Sequence, residues 1–563
     1  MSPNRLWRRQ LNHYPSGPKR YSYLAITVLC TVVLYYELYV QGAVATTIIG
    51  TFGVSFGEFV AIAVIGNLLG AFASLAAGLA DRWGRANLVV AGLLITALLV
   101  LFGLPAASSF GMYGCLFVLL CAVEGVVLVA TPALIRDFSP QLGRASAMGY
   151  WTLGPVLGSI LVTTVSSGTA ASHPDWQFQF RVCGMIGLAA AVIALLGLRE
   201  LEPGLRDQLM VSVRDKGLIE ARARQIDPVR ALRGHWRQML RLDVLASAGA
   251  ISVYLIFYYI AVGFFVVYFV TVFGYSEARA NALAKWFWIS IAITLPLSGA
   301  ISDRLRVRKP LMVAGGVLSA GAVAVFAGLA TRPDTSYHHL AVVLVVLGVG
   351  TGLAYCTWMA GFTETVERHN PAATATGLAL WGWINRLVVT AALAGFGLML
   401  PAVSTLADQG HEVSRLATAY RSQLATLDHL DPATRAALAG GASDPRTRDD
   451  AVTQLLASGA AADEPAARAR IRQLAEHPIP PEDQQFLRVH GPVVAEAERR
   501  NPEQWQRWWL VCLAGQLVFI PLTLVMSGRW SPKRARQDEA RHRAEVVREM
   551  AELAVPVAVQ EKK

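Results

Sequence analysis

The sequence predicts an all-α membrane protein of twelve transmembrane helices, arranged as two pseudo-symmetric six-helix bundles. Three observations predict it. Of the 563 residues, 54% are hydrophobic and 16% charged, with a mean hydropathy of +0.43, whereas ordinary soluble proteins carry about 25% charge. Apolar runs of helical-span length recur along the chain on linkers too short for strands, and only helices satisfy the backbone of single spans in lipid. A short charged connection, Gly78 to Arg85, returns roughly half a chain later as Leu297 to Lys309, so the chain reads as a duplication.

Residues 1–21 hold Arg5, Arg8, Arg9, Lys19 and Arg20 without an acid, and form a cytoplasmic amino-terminal segment. A cleaved signal peptide is the competing reading, since Leu24 to Leu34 has the length of its apolar core and Ala43-Val44-Ala45 imitates a cleavage site; a whole multispan body follows, which weighs against it. The first bundle covers 22–198, with a span beginning at Tyr23 and others near 56–79, 87–107, 111–135, 145–166 and 181–198. A cytoplasmic central loop, 199–241, is rich in Arg, Asp and Glu and is expected to hold surface helices that tether the halves. The second bundle, 242–527, has spans near 243–269, 280–301, 310–330, 339–361, 373–400 and 507–527. Its outer insertion, 402–505, is full of Ala, Arg, Asp and Glu and broken by Pro432, Gly440-Gly441, Pro445 and Pro478 to Pro481, as expected of several short soluble helices. Residues 528–563 form a cytoplasmic tail.

Lys and Arg alternate in density around these spans. Arg82, Arg85, Arg136, Arg144, Arg304 to Lys309, Lys533, Arg534 and Arg536 fall on one side with the two termini, against little beyond Arg181, Arg279 and Arg332 on the other. This asymmetry predicts that both termini are cytoplasmic. It also accounts for the net charge of +11 without a nucleic-acid partner. Cys30, Cys115, Cys121, Cys183, Cys356 and Cys512 lie in or beside apolar runs with no CxxC pair, so they read as small core residues and predict no metal site. With no nucleotide loop, HExxH motif or nucleophile elbow, the sequence predicts neither an enzyme nor a cofactor.

The core Asp81-Arg82-Trp83-Gly84-Arg85 resembles the signature loop between spans 2 and 3 of the major facilitator superfamily of secondary transporters. Gly78 stands one residue nearer Asp81 than in the widest form of that pattern, and Ala86 replaces its last basic residue. The second copy repeats a Gly, Asp303-Arg304 and a trailing basic pair, but lacks the turn glycine and is one residue longer. The resemblance implies a multi-pass monomer in the plasma membrane, a bacterial inner membrane for a bacterial chain, whose halves rock around a midplane site. It implies that spans 1, 4, 7 and 10 line the cavity and 2, 5, 8 and 11 flank it. It further implies gating residues. Asp81 would cap the start of span 11 near Pro371 to Thr374 while Arg85, beside Arg82 and Gly84, pairs with Asp137; Asp303, beside Arg304, would point to the start of span 5 near Gly143, with Arg308 toward Glu364 or Glu367.

Charges inside spans are the sharper signal, because one at the bilayer centre costs about 2.5–3.5 kcal/mol even on insertion scales. Glu37 and Gln41 share a face of span 1, Glu124 lies near the middle of span 4, and Arg386 lies near the middle of span 11 beside Asn385. Aromatic candidates for the substrate pathway include Tyr258 and Trp358, although most aromatics in spans pack or mark interfaces. Gly66, Gly70, Ser74 and Gly78 form a stripe on which another helix can approach closely. Gly154-Pro155-Val156-Leu157-Gly158 resembles in part the Gly-Pro motif of the family's antiporters, whereas Cys121 stands where their span 4 carries an Arg, followed by Glu124-Gly125. The reading that results is proton-coupled uptake of a small organic anion, with Glu37 or Glu124 carrying the proton and Arg386 either binding the anion or pairing with one carboxylate. A drug/proton antiporter is the alternative, and a non-transporting receptor or scaffold using the outer insertion is the alternative of another class.

Overall fold

Long apolar runs punctuated by short polar turns leave this chain one economical solution, helices packed side by side. The computed structural model describes residues 9–73, 84–138, 144–202, 239–369, 374–439, 444–526 and parts of 530–548. The central loop from 203 to 238 and the signature loop from 74 to 83 lie outside the described residues.

In the first half, strand β1 (Gln10–Leu11) is followed by α1 (Gly17–Ala43), α2 (Ala45–Phe52), α3 (Phe56–Ala73), α4 (Arg85–Leu98), α5 (Phe110–Phe138), α6 (Arg144–Thr169), α7 (Trp176–Gly197) and strand β2 (Glu200–Leu201). Beyond Leu98, α4 runs on through a π turn at Leu99–Gly103 and a 3-10 turn at Leu104–Ala106. The second half holds α8 (Leu242–Tyr254), α9 (Ile256–Phe273), α10 (Glu277–Leu305), α11 (Lys309–Leu329), α12 (Tyr337–His369) and α13 (Thr374–Met399). Among the described residues ten helical segments are long and apolar enough to cross a membrane. α6, rich in Gly, Ser and Thr around Pro155, and the later helix that reaches Leu522 are less apolar and are not among the ten.

Leu34 of α1, Val89 and Leu93 of α4, Leu134 of α5 and Ala191 of α7 make one core of the first half. The second half is held by rings: Phe257, Phe265 and Tyr268 of α9 meet Phe326 of α11 and Trp509. α9 is apolar all round, as a helix packed on every side must be. Small residues set the closest approaches. A Cβ on Gly70 of α3 would stand 3.0 Å from the Cys121 carbonyl of α5, and one on Gly158 of α6 would stand 2.8 Å from Tyr35 Cβ of α1.

Residues 53–56 and 400–501 form a second compact unit. It contains α14 (Pro401–Thr405), α15 (His411–Ala419), α16 (Arg421–Leu427), α17 (Pro432–Ala439), α18 (Pro445–Ala457), α19 (Glu464–Glu476) and the start of α20 (Pro481–Leu522). Leu427, Leu438, Leu455, Ile471 and Leu474 form its core. Asp431 opens α17 by accepting from the amides of Ala433 and Thr434 at 2.9 and 3.0 Å, and the Thr434 bonds lead in holding its carboxyl down at about 2. The 42 residues of α20 give about 63 Å of helix, twice a hydrocarbon core of about 30 Å.

Candidate functional site

A cavity of about 200 Å³ lies among α1, α3, α5, α9 and α13. Its polar lining comes from Tyr39 and Gln41 on α1, Asn67 on α3, Glu124 on α5, Tyr259 on α9 and Arg386 on α13. Gly66, Gly70 and Gly125 line it too, so the close packing of α3 on α5 also shapes the wall. Both halves of the chain therefore contribute, and hydrogen bonds from Asn67 and Arg386 cross between them beside it. Asn67 Nδ2 donates to Thr390 Oγ1 at 2.9 Å, and Arg386 donates toward the carbonyls of Gly70 and Ala71 at 3.4 Å each.

The three predicted intramembrane charges part company here. Glu124 faces the cavity, 1% exposed to outside solvent, and neither carboxyl oxygen has a hydrogen-bond partner among the described residues. Arg386 faces the same space from α13. No guanidinium–carboxylate pair joins them in this structure, because Glu124 accepts from no donor there. Glu37 is packed against Gly187 of α7, with Thr96 of α4 beside its carboxyl, and does not line the cavity. Gln41, one turn further along α1, does line it and accepts from Tyr113 OH at 3.2 Å.

The remaining pathway candidates are packed away from that space. Tyr258 lies edge-on against Trp288 with centroids 5.1 Å apart. Trp358 is fully buried, stacked on Phe362, and donates its Nε1–H to Ser247 Oγ at 3.0 Å. Asn385 turns to Tyr259, donating to its hydroxyl at 2.8 Å. It thereby orients a cavity residue without lining the cavity itself. Tyr39, Asn67 and Tyr259 are the polar lining that sequence reasoning missed.

Of the gating candidates, Asp81 and Arg82 lie outside the described residues, as does the side chain of Asp137. Gly84 takes a φ of 91° ahead of α4. The amides of Arg85 and Ala86 donate to Glu200 Oε2 at 2.6 and 3.4 Å, which satisfies two of the unpaired donors at the start of α4. Glu200 is held there by the pairing of β2 with β1, Gln10 opposite Glu200. The residue before β1, Arg9, is 2% exposed and donates to the carbonyls of Ala194, Leu195 and Leu198 at the end of α7. A cation there meets the negative end of the helix dipole. In the second copy Arg308 bonds Asp303 at 2.6 Å and Glu364 at 3.0 Å, while Arg304 stands exposed in the last turn of α10. The Asp303 carboxylate is thus engaged within its own loop.

Comparison with known proteins places the chain in a family. Residues 27–384 match the family model of the Major Facilitator Superfamily. The chain is 24% identical over 362 residues, 62% of its own length and 82% of the other's, to a protein of Mycobacterium tuberculosis described as a probable nitrate/nitrite transporter. It is 26% identical over 244 residues, 41% of this chain and 45% of the other, to an efflux pump of Floropilus chiversii. Its fold is similar to the crystal structure of a bacterial homolog of the human lysosomal transporter Spinster, with a TM-score of 0.57 at 15% identity over 91% of this chain and 98% of that one. The chain belongs to the Major Facilitator Superfamily of membrane transporters.

Proposed function

We propose that this protein is a twelve-span, proton-coupled secondary transporter of a small anion, with both termini cytoplasmic and two six-helix halves alternating around the cavity. α6 and α20 supply the fifth and twelfth spans in this reading. One observation carries it: a single cavity faces a guanidinium, Arg386, and an unpartnered carboxyl, Glu124, from opposite halves of the chain. The guanidinium fork matches a planar carboxylate or oxyanion in two parallel bonds. The relative described as a nitrate/nitrite transporter favours an anion as well. Glu124 is the proton carrier, since with no salt bridge to break it exchanges its proton directly with the cavity. The cavity's size also bears on the substrate. About 200 Å³ is below the roughly 300–1,000 Å³ of drug-sized sites, which supports a small organic anion over a bulky drug.

Purified protein in liposomes tests this with labelled short carboxylates and nitrate, with and without an imposed proton gradient. Gradient-driven accumulation that Glu124→Gln abolishes, while substrate-for-substrate exchange survives, is the expected result. Arg386→Lys keeps the charge but not the fork, and should raise the KM for a carboxylate. Retained accumulation in Glu124→Gln would remove that residue from the proton path. Efflux is the second reading, favoured by the relative named as an efflux pump and by the Gly154-Pro155 core, whose glycines pack on α1 at Thr31 and Tyr35. Proton counterflow against substrate would select it.

A further inference from the structure

A continuous α-helix would pair the amide of Thr47 with the carbonyl of Ala43. That bond is missing, because α1 ends at Ala43 and α2 begins at Ala45. Val44 between them has φ −128° and ψ 23°, and its amide turns to Gln41 O at 3.3 Å. Both orphaned groups are satisfied by α10, a helix of the other half. Thr47 N–H donates to Glu277 Oε1 at 3.0 Å, and the Ala43 carbonyl accepts from Asn281 Nδ2 at 3.0 Å. The hydroxyls of Thr46 and Thr47 donate to the same Glu277 oxygen, Thr47 Oγ1 at 2.6 Å. Glu277 and Asn281 sit one turn apart on one face, and Asn281 Nδ2 also donates to the Glu277 carbonyl at 2.9 Å. The break lies against the second half on another side too. A Cβ on Gly42 would be 3.2 Å from Gly263 Cα of α9.

We propose that Glu277 and Asn281 are positioning residues of a latch that makes the break in the first span conditional on contact between the halves. While the halves meet at the end of the bundle opposite the signature loop, the break is capped from α10. When they separate there, the amide of Thr47 and the carbonyl of Ala43 lose both partners, and an unpaired backbone group is costly. The nearest replacement partner of each is the other, so separation closes the break and α1 continues into α2. This couples the latch to the cavity. Tyr39 and Gln41 line the cavity within five residues of Val44, and straightening the helix re-aims both side chains. The latch thus goes beyond anion and proton binding, because it holds whatever the substrate is.

The test reads the distance between the halves and needs no substrate. Full-length protein in lipid nanodiscs carries spin labels at Gly50→Cys and Asp334→Cys, both exposed and on opposite halves at that end, with the exposed Cys115 replaced by Ser. The Glu277→Ala/Asn281→Ala double variant should raise the separated population on the order of tenfold, from the loss of several hydrogen bonds, three of them to the Glu277 carboxylate. Glu277→Gln keeps an acceptor oxygen and should shift it less. Added to that double variant, where Thr47 has already lost its Glu277 acceptor, Thr47→Pro should act in the opposite direction. Proline fits the first turn of α2, but in a continuous helix its ring would clash with the Ala43 carbonyl, so the separated population should fall. Asn281→Ala alone serves where the double variant does not fold. A separated population that does not rise without the caps, or that Thr47→Pro does not lower in the double variant, would overturn the latch.

Discussion

The two copies of the charged connection are held by different means. Three residues after each Asp, at Gly84 and at Arg306, the backbone takes a positive φ, 91° in the first and 56° in the second. The first copy uses glycine there and is held through its backbone, by the buried Glu200 carboxylate on the amides of Arg85 and Ala86. The second has no glycine and is held through side chains, with Arg308 drawing together Ser302, Asp303 and Glu364. Asp303 and Glu364 are 57% and 44% exposed, so water screens those pairs. Both copies carry a positive φ at the corresponding residue, Gly84 ahead of α4 and Arg306 at the end of α10, but the first is held by a buried cap and the second by surface ion pairs. The first copy should therefore be the stiffer of the two and the more sensitive to substitution.

The largest effect that would break this comparison is on transport. Asp81→Asn should reduce turnover on the order of tenfold, within the usual range of a coupling between distant states, with membrane insertion unchanged. Asp303→Asn should reduce it less. Initial rates in liposomes at matched protein density decide the order, and a more impaired Asp303→Asn would reverse the ranking of the copies. Next comes stability. Glu200→Ala leaves two buried amides without their acceptor and should cost about 1–3 kcal/mol, read as a shift in detergent-solubilised chemical unfolding. Glu200→Gln retains an acceptor oxygen and should lose less. Arg308→Ala should cost about 1 kcal/mol or less, as screened pairs do, and that loss should shrink with added salt. If Arg308→Ala proves the costlier of the two, the second copy is the structural anchor and the comparison is inverted.

Much of the helical order was legible, because an apolar run of span length in a polytopic chain has few alternatives to helix. The face each residue presents was not. Neighbouring residues on a helix point about 100° apart, so Tyr258 and Tyr259 were equally good candidates, and an all-apolar α9 offers no polar stripe to choose between them. Glu37 and Gln41 share a face one turn apart, yet the nearby α7 takes up the first and the cavity the second. Glu124 and Arg386 were legible as costly charges, though their placement around one space depended on two halves whose contact no local pattern records. Arg9 and Glu200 were missed for a different reason. Arg9 reads as one more basic residue of a cytoplasmic arm and Glu200 as loop, because each binds backbone groups, which leave no signature in side-chain type. The partners of Glu200 stand 115 and 114 residues away in sequence.

The smallest predicted effect sharpens the comparison by restoring what the second copy lost. Arg306 is the one non-glycine residue with positive φ among the described residues, and a left-handed conformation costs an L-residue about 1–2 kcal/mol. Replacing it by glycine removes that cost, but it also adds backbone freedom to the unfolded chain, about 0.5–1 kcal/mol. The two terms leave Arg306→Gly more stable by about 0–1.5 kcal/mol, a small upward shift in the thermal unfolding midpoint. Its effect on Arg308 should be slight, since the ion pairs to Asp303 and Glu364 do not pass through the Arg306 side chain. Combined with Arg308→Ala, the glycine should recover much of the lost stability while leaving the salt dependence absent, because it strengthens the turn and not the pairs. A midpoint that falls in Arg306→Gly would mean that the arginine's own contacts outweigh the strain of its backbone, and that the second copy replaced its glycine for a stabilising side chain.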